Sequence, residues 1–424
     1  MNRLPTCLFA AALLCSAAPV FAADTAADGS AAGDRADQRE IVVTGQRMEY
    51  GVRSTSTATK TNTDIRNIPQ ALTVVSSGQI ADQQLRSISD LLLFVPGASY
   101  NSGEGNRDTL VLRGNSSTAD FFVDGVRDDV QYFRDFYNVD RVEVLKGPNA
   151  MIFGRGGGGG IINRVLKRPG LRASRQLTAS GDGFGGWRVT GDFDQPLGSA
   201  LGLRLNAMYE DGDSFRDHVD LKRYGINPTA AVQLGPDTRV DLSYEYFHDR
   251  RTADRGVPAD GDEPIRGFTR TFFGDPGISF ARADVNAATL AVEHRLGEGL
   301  TLKNRTMLGD YGKFYQNVFA NSFNPGTGLV ALAGYNNRND RKNLFSQTDL
   351  IWENRLAGID QTLLLGFEVG RERSRNFRNT ASFPAGNLVP IADPTVDTHA
   401  IFAPVASDAN NRVKATVAAA YIQD

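Results

Sequence analysis

From residue 171 onward the chain keeps a two-residue rhythm over segments of 10–15 residues. In "RVDLSYEYFHD" (239–249), Val240, Leu242, Tyr244 and Tyr246 fall on one side, and Arg239, Asp241, Ser243 and Glu245 on the other. Successive strand side chains point to opposite faces, so this spacing makes one apolar and one charged face. The pattern returns at 201–211, 285–297, 300–312, 344–358 and 361–373. A strand with lipid on one face and a polar interior on the other carries this signature, with aromatic residues near its ends. Short turns at 197–200, 234–237, 296–299 and 356–359 alternate with longer polar stretches near 250–282, 315–339 and 375–411. Outer-membrane barrels are connected in this way, by short periplasmic turns and long outer loops. A soluble β-sandwich shares the alternation but seldom such long strands or this asymmetry.

The N-terminus reads as a secretory signal: Arg3, an apolar stretch over 4–18, then Val20-Phe21-Ala22, with cleavage expected after Ala22. Cys7 and Cys15 both lie inside it, so the expected mature chain uses no disulfide framework. Residues 23–38 are mostly Ala, Asp and Gly with almost nothing to bury, and read as a disordered lead. "REIVVTGQR" (39–47) is an isolated β-branched run, either a stray sheet edge or a strand offered to a partner's sheet. No later run of 18 apolar residues could make a transmembrane helix. A net charge of −3 gives no bulk basic field for nucleic acid.

Residues 60–170 differ in texture and read as a compact mixed α/β domain. Strands are expected at 68–76, 109–114, 121–126, 139–147 and 161–169, with two short helices between 77 and 97. Ser87 and Asp90 have capping-box spacing ahead of Leu91 and Leu92. Within "GPNAMIFGRGGGGGIIN" (147–163), Gly154, Gly156 and Gly159 satisfy G-x-G-x-x-G. A nucleotide site needs a helix directly afterwards, whereas "IINRVLKRP" reads as a strand, and no Lys-Ser or Lys-Thr follows for a phosphate loop. Residues 148–153 are expected to form a short helical turn, and the glycines to bring the backbone close to a barrel wall. HExxH, CxxC, GxSxG and GKS/GKT are all missing from the sequence, so no enzymatic chemistry is expected.

Six segments in order, "EIVVTG" (40–45), "IPQALTVV", "LVLRG", "FFVDGVRDD", "DRVEVLKGPNAMIFGRG" and "GIIN", resemble the TonB-dependent outer-membrane receptors. The likeness is nearest to the catecholate ferric-siderophore receptor branch. A small-Pro pair usual in that branch is replaced here by Gly157 and Gly158. The resemblance implies a signal peptide at 1–22, a linker at 23–59 bearing the TonB box, a plug at 60–170 and barrel strands over 171–424. It implies the outer membrane of a Gram-negative cell, and TonB of the TonB–ExbB–ExbD complex pairing with Glu40, Ile41, Val42, Val43 and Thr44. The ligand would be a ferric siderophore, its iron carried as cargo, with no resident cofactor or metal. Hydroxamate siderophores, haem, or passage as a non-energised porin are the alternatives. Haem would call for an outer-side histidine, and His218 and His399 fall in expected loops.

A trianionic catechol chelate wants arginine and aromatic faces around it. On that ground Tyr100 and Arg107 in one plug loop, and Arg127, Tyr132, Arg134 and Tyr137 in another, are the expected ligand contacts. Arg113, Arg141, Glu143, Lys146 and Arg155 lie in the plug signatures and are expected to anchor it to lumen-facing barrel charges. The 254 residues from 171 to 424 allow about ten strands against about 22 in plugged transporters. The chain is therefore expected to be an N-terminal fragment, a plug with an incomplete barrel.

Overall fold

The computed structural model describes residues 50–147, 153–154, 158–356 and 358–424. The expected signal, the TonB box at 40–45, residues 148–152 of the expected helical turn and Arg155 lie outside the described residues.

The N-terminal domain starts earlier than residue 60. Strand β1 (Ser54–Thr55) pairs with β2 (Thr63–Asp64), and Thr55 and Ala58 are buried. Then follow β3 (Ala71–Ser76), α1 (Ser77–Asp82) and α2 (Ile88–Leu92). Ser76 caps α1 by accepting from the Gln79 amide, and Ser87 caps α2 by accepting from the Asp90 amide. Asp90 completes the second cap from the other side, accepting from the Arg86 amide at 3.0 Å. Strands β4 (Ala98–Asn101), β5 (Thr109–Leu112) and β6 (Asn115–Ser117) form a small antiparallel sheet. A tight hairpin joins β7 (Phe121–Val123) to β8 (Val126–Arg127), and β9 (Val139–Lys146) and β10 (Gly160–Leu166) complete the domain. Its main sheet runs β3-β9-β10-β7-β8, with β10 parallel to β7. Ile88, Leu91, Leu110, Leu112, Val142, Val144 and Ile162 form the centre of its core, each almost fully buried. Each such side chain contributes about 1.5–3 kcal/mol of burial free energy.

The glycine run is followed by a strand, as its sequence implies, but the reason for glycine differs from the expectation. A Cβ on Gly159 would lie 2.2 Å from the Leu112 carbonyl oxygen, and one on Gly160, whose φ is +147°, would lie 2.3 Å from that of Leu145. The backbone is squeezed between two strands of its own domain, not against a barrel wall.

Ten long strands follow: β11 (Ser174–Gly181), β12 (Trp187–Leu197), β13 (Leu201–Asp213), β14 (Asp220–Leu234) and β15 (Thr238–Thr252) are the first five. After a short pair, β16 (Ala259–Asp260) and β17 (Glu263–Pro264), come β18 (Phe280–Gly297), β19 (Leu300–Asn324), β20 (Leu329–Leu356) and β21 (Ile359–Ser382). The last is β24 (Asn410–Gln423), preceded by β22 (Leu388–Pro390) and β23 (Ile401–Ala403), which dock on β20 and β21. All pair antiparallel with their neighbours in chain order, and among the described residues β11 pairs only with β12 and β24 only with β21. The four short turns fall where the sequence places them.

Along each strand the two faces separate as the alternation requires. Leu203, Leu205, Leu242, Tyr244, Leu308 and Phe367 are exposed, whereas Asn206, Glu210, Asn227 and Asp249 are buried beneath the N-terminal domain side. The outer face is therefore apolar and the inner face largely polar, the arrangement of a membrane barrel, with an inner apolar patch at Met208, Phe247, Val285, Met307 and Phe345 where the N-terminal domain packs. Trp187 and Tyr209 stack at 4.9 Å on that outer face, Tyr209 and Tyr224 at 6.5 Å, and Tyr224 and His248 at 4.9 Å, forming an aromatic row near the outer strand ends. No described helix is long and apolar enough to cross a membrane.

One expected loop is absent. Residues 315–339 form the tips of β19 and β20, joined by a turn at 325–328 in which Asn324 accepts from the Gly326 and Thr327 amides. These tips rise beyond the apolar belt, where no lipid demands an apolar outer face, so their polar composition resembles a loop. Val318, Val330 and Leu332 bury themselves against Phe273 of the 253–279 connection. The packing at the glycine run generates a test. Gly159→Val is expected to destabilise the N-terminal domain by about 3 kcal/mol or more, and Gly158→Ala, with open space around it, by less than about 1 kcal/mol. Urea-dependent proteolysis of the purified protein reads the difference.

Candidate functional site

The loop between β4 and β5 forms the tip of the N-terminal domain. Glu104 adopts φ 62° there, and Arg107 folds back to donate to Glu104 at 2.8 Å and to the Gly103 carbonyl at 3.1 Å. The large sheet brings further groups to the same place. Arg255 lies 3.7 Å from Glu104 and stacks 3.7 Å over the Phe319 ring. Arg378 stacks 3.9 Å over Tyr335, which meets Tyr315 edge-on at 5.4 Å and Phe319 at 6.0 Å. Lys313 donates to Asn106 at 2.6 Å. Burial alone would raise the Glu104 carboxyl, but Arg107, Tyr335 and Arg255 hold it below its usual range. Arg107 and Arg255 thus share the Glu104 carboxylate, Arg378 pairs with Asp408 at 3.4 Å, and three aromatic rings line the same place. Such a set recognises an anion with aromatic faces, which would replace Glu104 as the partner of the arginines.

Of the six expected ligand contacts, Arg107 lies in this loop and Tyr100 on β4 just before it. Tyr100 is half-buried and leans on the domain core, and Arg107 keeps one-fifth of its side chain exposed. The other four require correction. Arg134 has no exposed surface. It donates to Asp128 at 3.0 Å and to the Asp128 and Val130 carbonyls at 2.6 and 2.7 Å, between the rings of Phe121 and Tyr132. Tyr132 is buried and donates to Asp128, and Arg127 is buried and donates to the Ala119 carbonyl. Tyr137 is buried against the large sheet and donates to Glu245 at 3.2 Å. These side chains build the 126–138 loop because its carboxylates and carbonyls face inward and a buried cation must be fully satisfied. Burial pushes Asp108, 3.5 Å from Arg134, up to about 6 against the pull of that arginine. Asp128 is also pushed up by burial, but Arg134 and Arg164 together bring it below its usual range.

Four of the five expected anchors are corrected as well, Arg155 lying outside the described residues. Arg141 pairs with Asp140 and Glu143, Glu143 also accepts from Thr55 at 2.7 Å, and Lys146 donates to the Pro96 carbonyl at 2.9 Å. Arg113 is exposed beside Gly147. These partners all belong to the N-terminal domain, because β9 is an interior strand of its sheet and its side chains meet neighbours of that sheet first. The polar attachment to the large sheet exists but uses other residues. Asp135 accepts from Arg188 at 2.7 Å and lies 3.1 Å from Arg223, and Glu210 bridges the same two arginines at 2.6 and 2.7 Å. Burial would raise Asp135, but Arg188 and Arg223 hold it well below the carboxylate range. Further ties are Lys167 to Asp192 at 2.9 Å, Asp129 to Arg341 at 2.7 Å, and Asn138 to Glu245 at 3.0 Å. At the short-turn end, Lys60 sits 3.6 Å from Asp349 and donates to the Tyr421 hydroxyl.

Arg255, Tyr315, Phe319, Tyr335 and Arg378 were missed by the sequence reading because β-sheet register, not local spacing, brings them together. One signal was present: carried past residue 312, the alternation of β19 puts Tyr311, Lys313, Tyr315 and Phe319 on the inner face in one row. The two classes of arginine separate by experiment. Arg134→Ala is expected to cost about 3–5 kcal/mol of stability by stranding buried carboxylates. Arg107→Ala should cost less than about 1 kcal/mol, and denaturant titration of both variants checks the contrast.

Residues 64–161 match the TonB-dependent Receptor Plug Domain family. The catecholate siderophore receptor Fiu of Escherichia coli (strain K12) is 28% identical over 356 residues, 76% of this chain and 46% of that one. The probable TonB-dependent receptor BfrD of Bordetella pertussis is 32% identical over 275 residues, 62% of this chain and 37% of that one. The chain spans about half the length, or less, of these curated relatives. The crystal structure of the ferric-catecholate import receptor Fiu from E. coli K12 in its closed form superposes with a TM-score of 0.77 at 24% identity, covering 88% of this chain and 56% of that one. The siderophore receptor PiuA from Acinetobacter baumannii gives 0.78 at 20%, covering 88% and 64%. An N-terminal domain matched by a plug family, seated on the polar face of strands that superpose on receptor barrels, makes this chain a member of the TonB-dependent receptor family.

Proposed function

We propose that the protein is an outer-membrane receptor for TonB-energised uptake of a ferric siderophore of the catecholate type. The observation that carries this reading is the cluster at the plug apex. Arg107 and Arg255 on Glu104, and Arg378 on Asp408, present charge, and Tyr315, Phe319 and Tyr335 present ring faces and edges beside them. A ferric catecholate brings negative charge and aromatic faces together. It would exchange the Glu104 contacts for its own, loosening the apex loop from the strands. Iron enters as cargo, and the receptor performs no covalent step.

In this reading the segment 40–45 pairs with TonB as an added strand, and tension reaches the plug first near β1. Lys60, tied to Asp349 and Tyr421, is the first fastening that such a pull would load. The contacts beyond it are ion pairs and hydrogen bonds, which can be exchanged for water once opened, and two apolar patches, in which Val130, Tyr132 and Tyr137 meet Met208, Phe247 and Val285, and Val126 meets Met307 and Phe345.

Haem is less well supported. His399 is exposed beside Asp397, His248 pairs with Asp284, His294 contacts Thr238, and none of them belongs to the apex cluster. A porin working without energy input is disfavoured by the plug, which covers the polar face of the strands.

Uptake of labelled ferric catecholate and ferric hydroxamate by an iron-starved host carrying the gene, with and without TonB, tests the proposal. Catecholate uptake that needs TonB is expected. Uptake without TonB would overturn the energised reading, and uptake of hydroxamate alone would overturn the ligand class. Arg255→Ala and Arg378→Ala should each weaken ferric-catecholate binding about tenfold.

A further inference from the structure

The outward face of the barrel changes character abruptly on β21. Leu365, Phe367 and Val369 are exposed and apolar, and the next three outward positions are Arg371, Arg373 and Arg375. The same change occurs at the same level on both neighbours. Register places Leu308, Leu344, Arg371 and Thr416 in one row, then Asp310, Lys342, Arg373 and Lys414, then Gly312, Asp340, Arg375 and Arg412. Six cations and two acids occupy these three rows. Lys342 pairs with Asp310 at 3.0 Å, and Asp340 pairs with Arg338 at 3.1 Å, so both acids are already engaged. Arg371, Arg373, Arg375, Arg412 and Lys414 make no hydrogen bond or ion pair among the described residues.

Directly beneath lies a groove of about 410 Å³ on the same face. Tyr244, Ala288, Leu308 and Leu344 make its apolar floor, and Lys342, Arg371 and Arg373 stand at its edge. The short turns end the strands on the side away from this patch, which puts the cations at the outer rim of the apolar belt. Five unpaired cations packed on adjacent strands repel one another, and the arrangement makes physical sense with a polyanion present.

We propose that this patch is a binding site for an outer-leaflet lipid whose headgroup carries phosphate groups, with an acyl chain lying in the groove below. The cations face away from the lumen and are continuous with the lipid-facing surface, so a soluble acidic ligand would have to compete with lipid to reach them. Arginine forks suit phosphate oxygens, and adjacent rows offer contacts to more than one phosphate. The inference rests on the barrel fold and its orientation, and is independent of which siderophore is carried.

The test uses the protein purified in a neutral detergent and native mass spectrometry, with diphosphoryl lipid A and phosphatidylethanolamine as probes. The protein should retain the diphosphoryl lipid at least about tenfold better than phosphatidylethanolamine, and less so as salt is raised. The triple variant R371Q/R373Q/K414Q should lose on the order of a hundredfold in that binding, while R266Q/R270Q, in an exposed outer loop, should bind as the parent does. The charge-keeping variant R371K/R373K/R375K should bind within about tenfold of the parent, which separates loss of charge from loss of fold. Equal retention of the two lipids, or parent-like binding by the glutamine triple variant, would overturn the proposal. So would a folded lysine variant that binds as poorly as the glutamine one.

Discussion

Asp135 belongs to the plug, and Arg188 and Arg223 belong to barrel strands, yet all three side chains are buried together with Glu210. The rest of the architecture depends on this kind of joint. The barrel interior is largely polar, and the plug seated in it matches those polar groups one by one, with apolar patches at Tyr132, Tyr137 and Val126 beside them. Buried ion pairs contribute little net stability compared with an apolar contact of the same size, but breaking one partner away is costly. Such a joint fixes where the plug sits with high geometric specificity. Its polar groups can exchange their partners for water on opening, while the apolar patches beside it, where Val130, Tyr132 and Tyr137 meet Met208, Phe247 and Val285, are uncovered at the same time.

The same logic organises the apex. Glu104 holds Arg107 and Arg255 in the absence of ligand, so the cations are satisfied at rest and their geometry is preset. The aromatic rings of Phe319 and Tyr335 carry Arg255 and Arg378, and Arg378 also pairs with Asp408 at 3.4 Å. Above them the 253–279 and 383–409 connections are laced together, with the Asp275 carboxylate accepting from the Thr398 amide and hydroxyl at 2.8 and 2.9 Å. The binding region is therefore framed by barrel strands and outer connections as much as by the plug.

Much of this was legible in the sequence, for a physical reason: lipid on one side and polar groups on the other force a strict alternation. Leu242 and Tyr244 outward, with Asp241 and Glu245 inward, could be read from spacing alone. The plug strands and the Ser87 cap were equally visible, because apolar runs and caps are local signals. The tips of β19 and β20 were not, since beyond the membrane the outer face carries no apolar requirement. Side-chain destinations were the least readable. Composition marked Arg134 as a candidate for an anionic ligand, but its place is decided by Asp128 and Asp108, the second of which lies on a different loop. Glu143 reads as a free charge until β3 and β10 enclose its strand. Arg255 and Arg378 come from segments far apart in sequence, and only the register of β15 to β21 sets them on the neighbouring rings of Phe319 and Tyr335.

The central claim is that charge complementarity fixes where the plug sits on the barrel, alongside the apolar patches around Tyr132, Tyr137 and Val126. A double-mutant cycle between Asp135 and Arg188, read by urea denaturation with hydrogen exchange over residues 126–146, tests it most directly. The account predicts a coupling energy of about 2 kcal/mol or more, with the exchange of the 126–138 loop accelerated in both single variants. A coupling below about 0.5 kcal/mol, with unchanged protection of that loop, would contradict it.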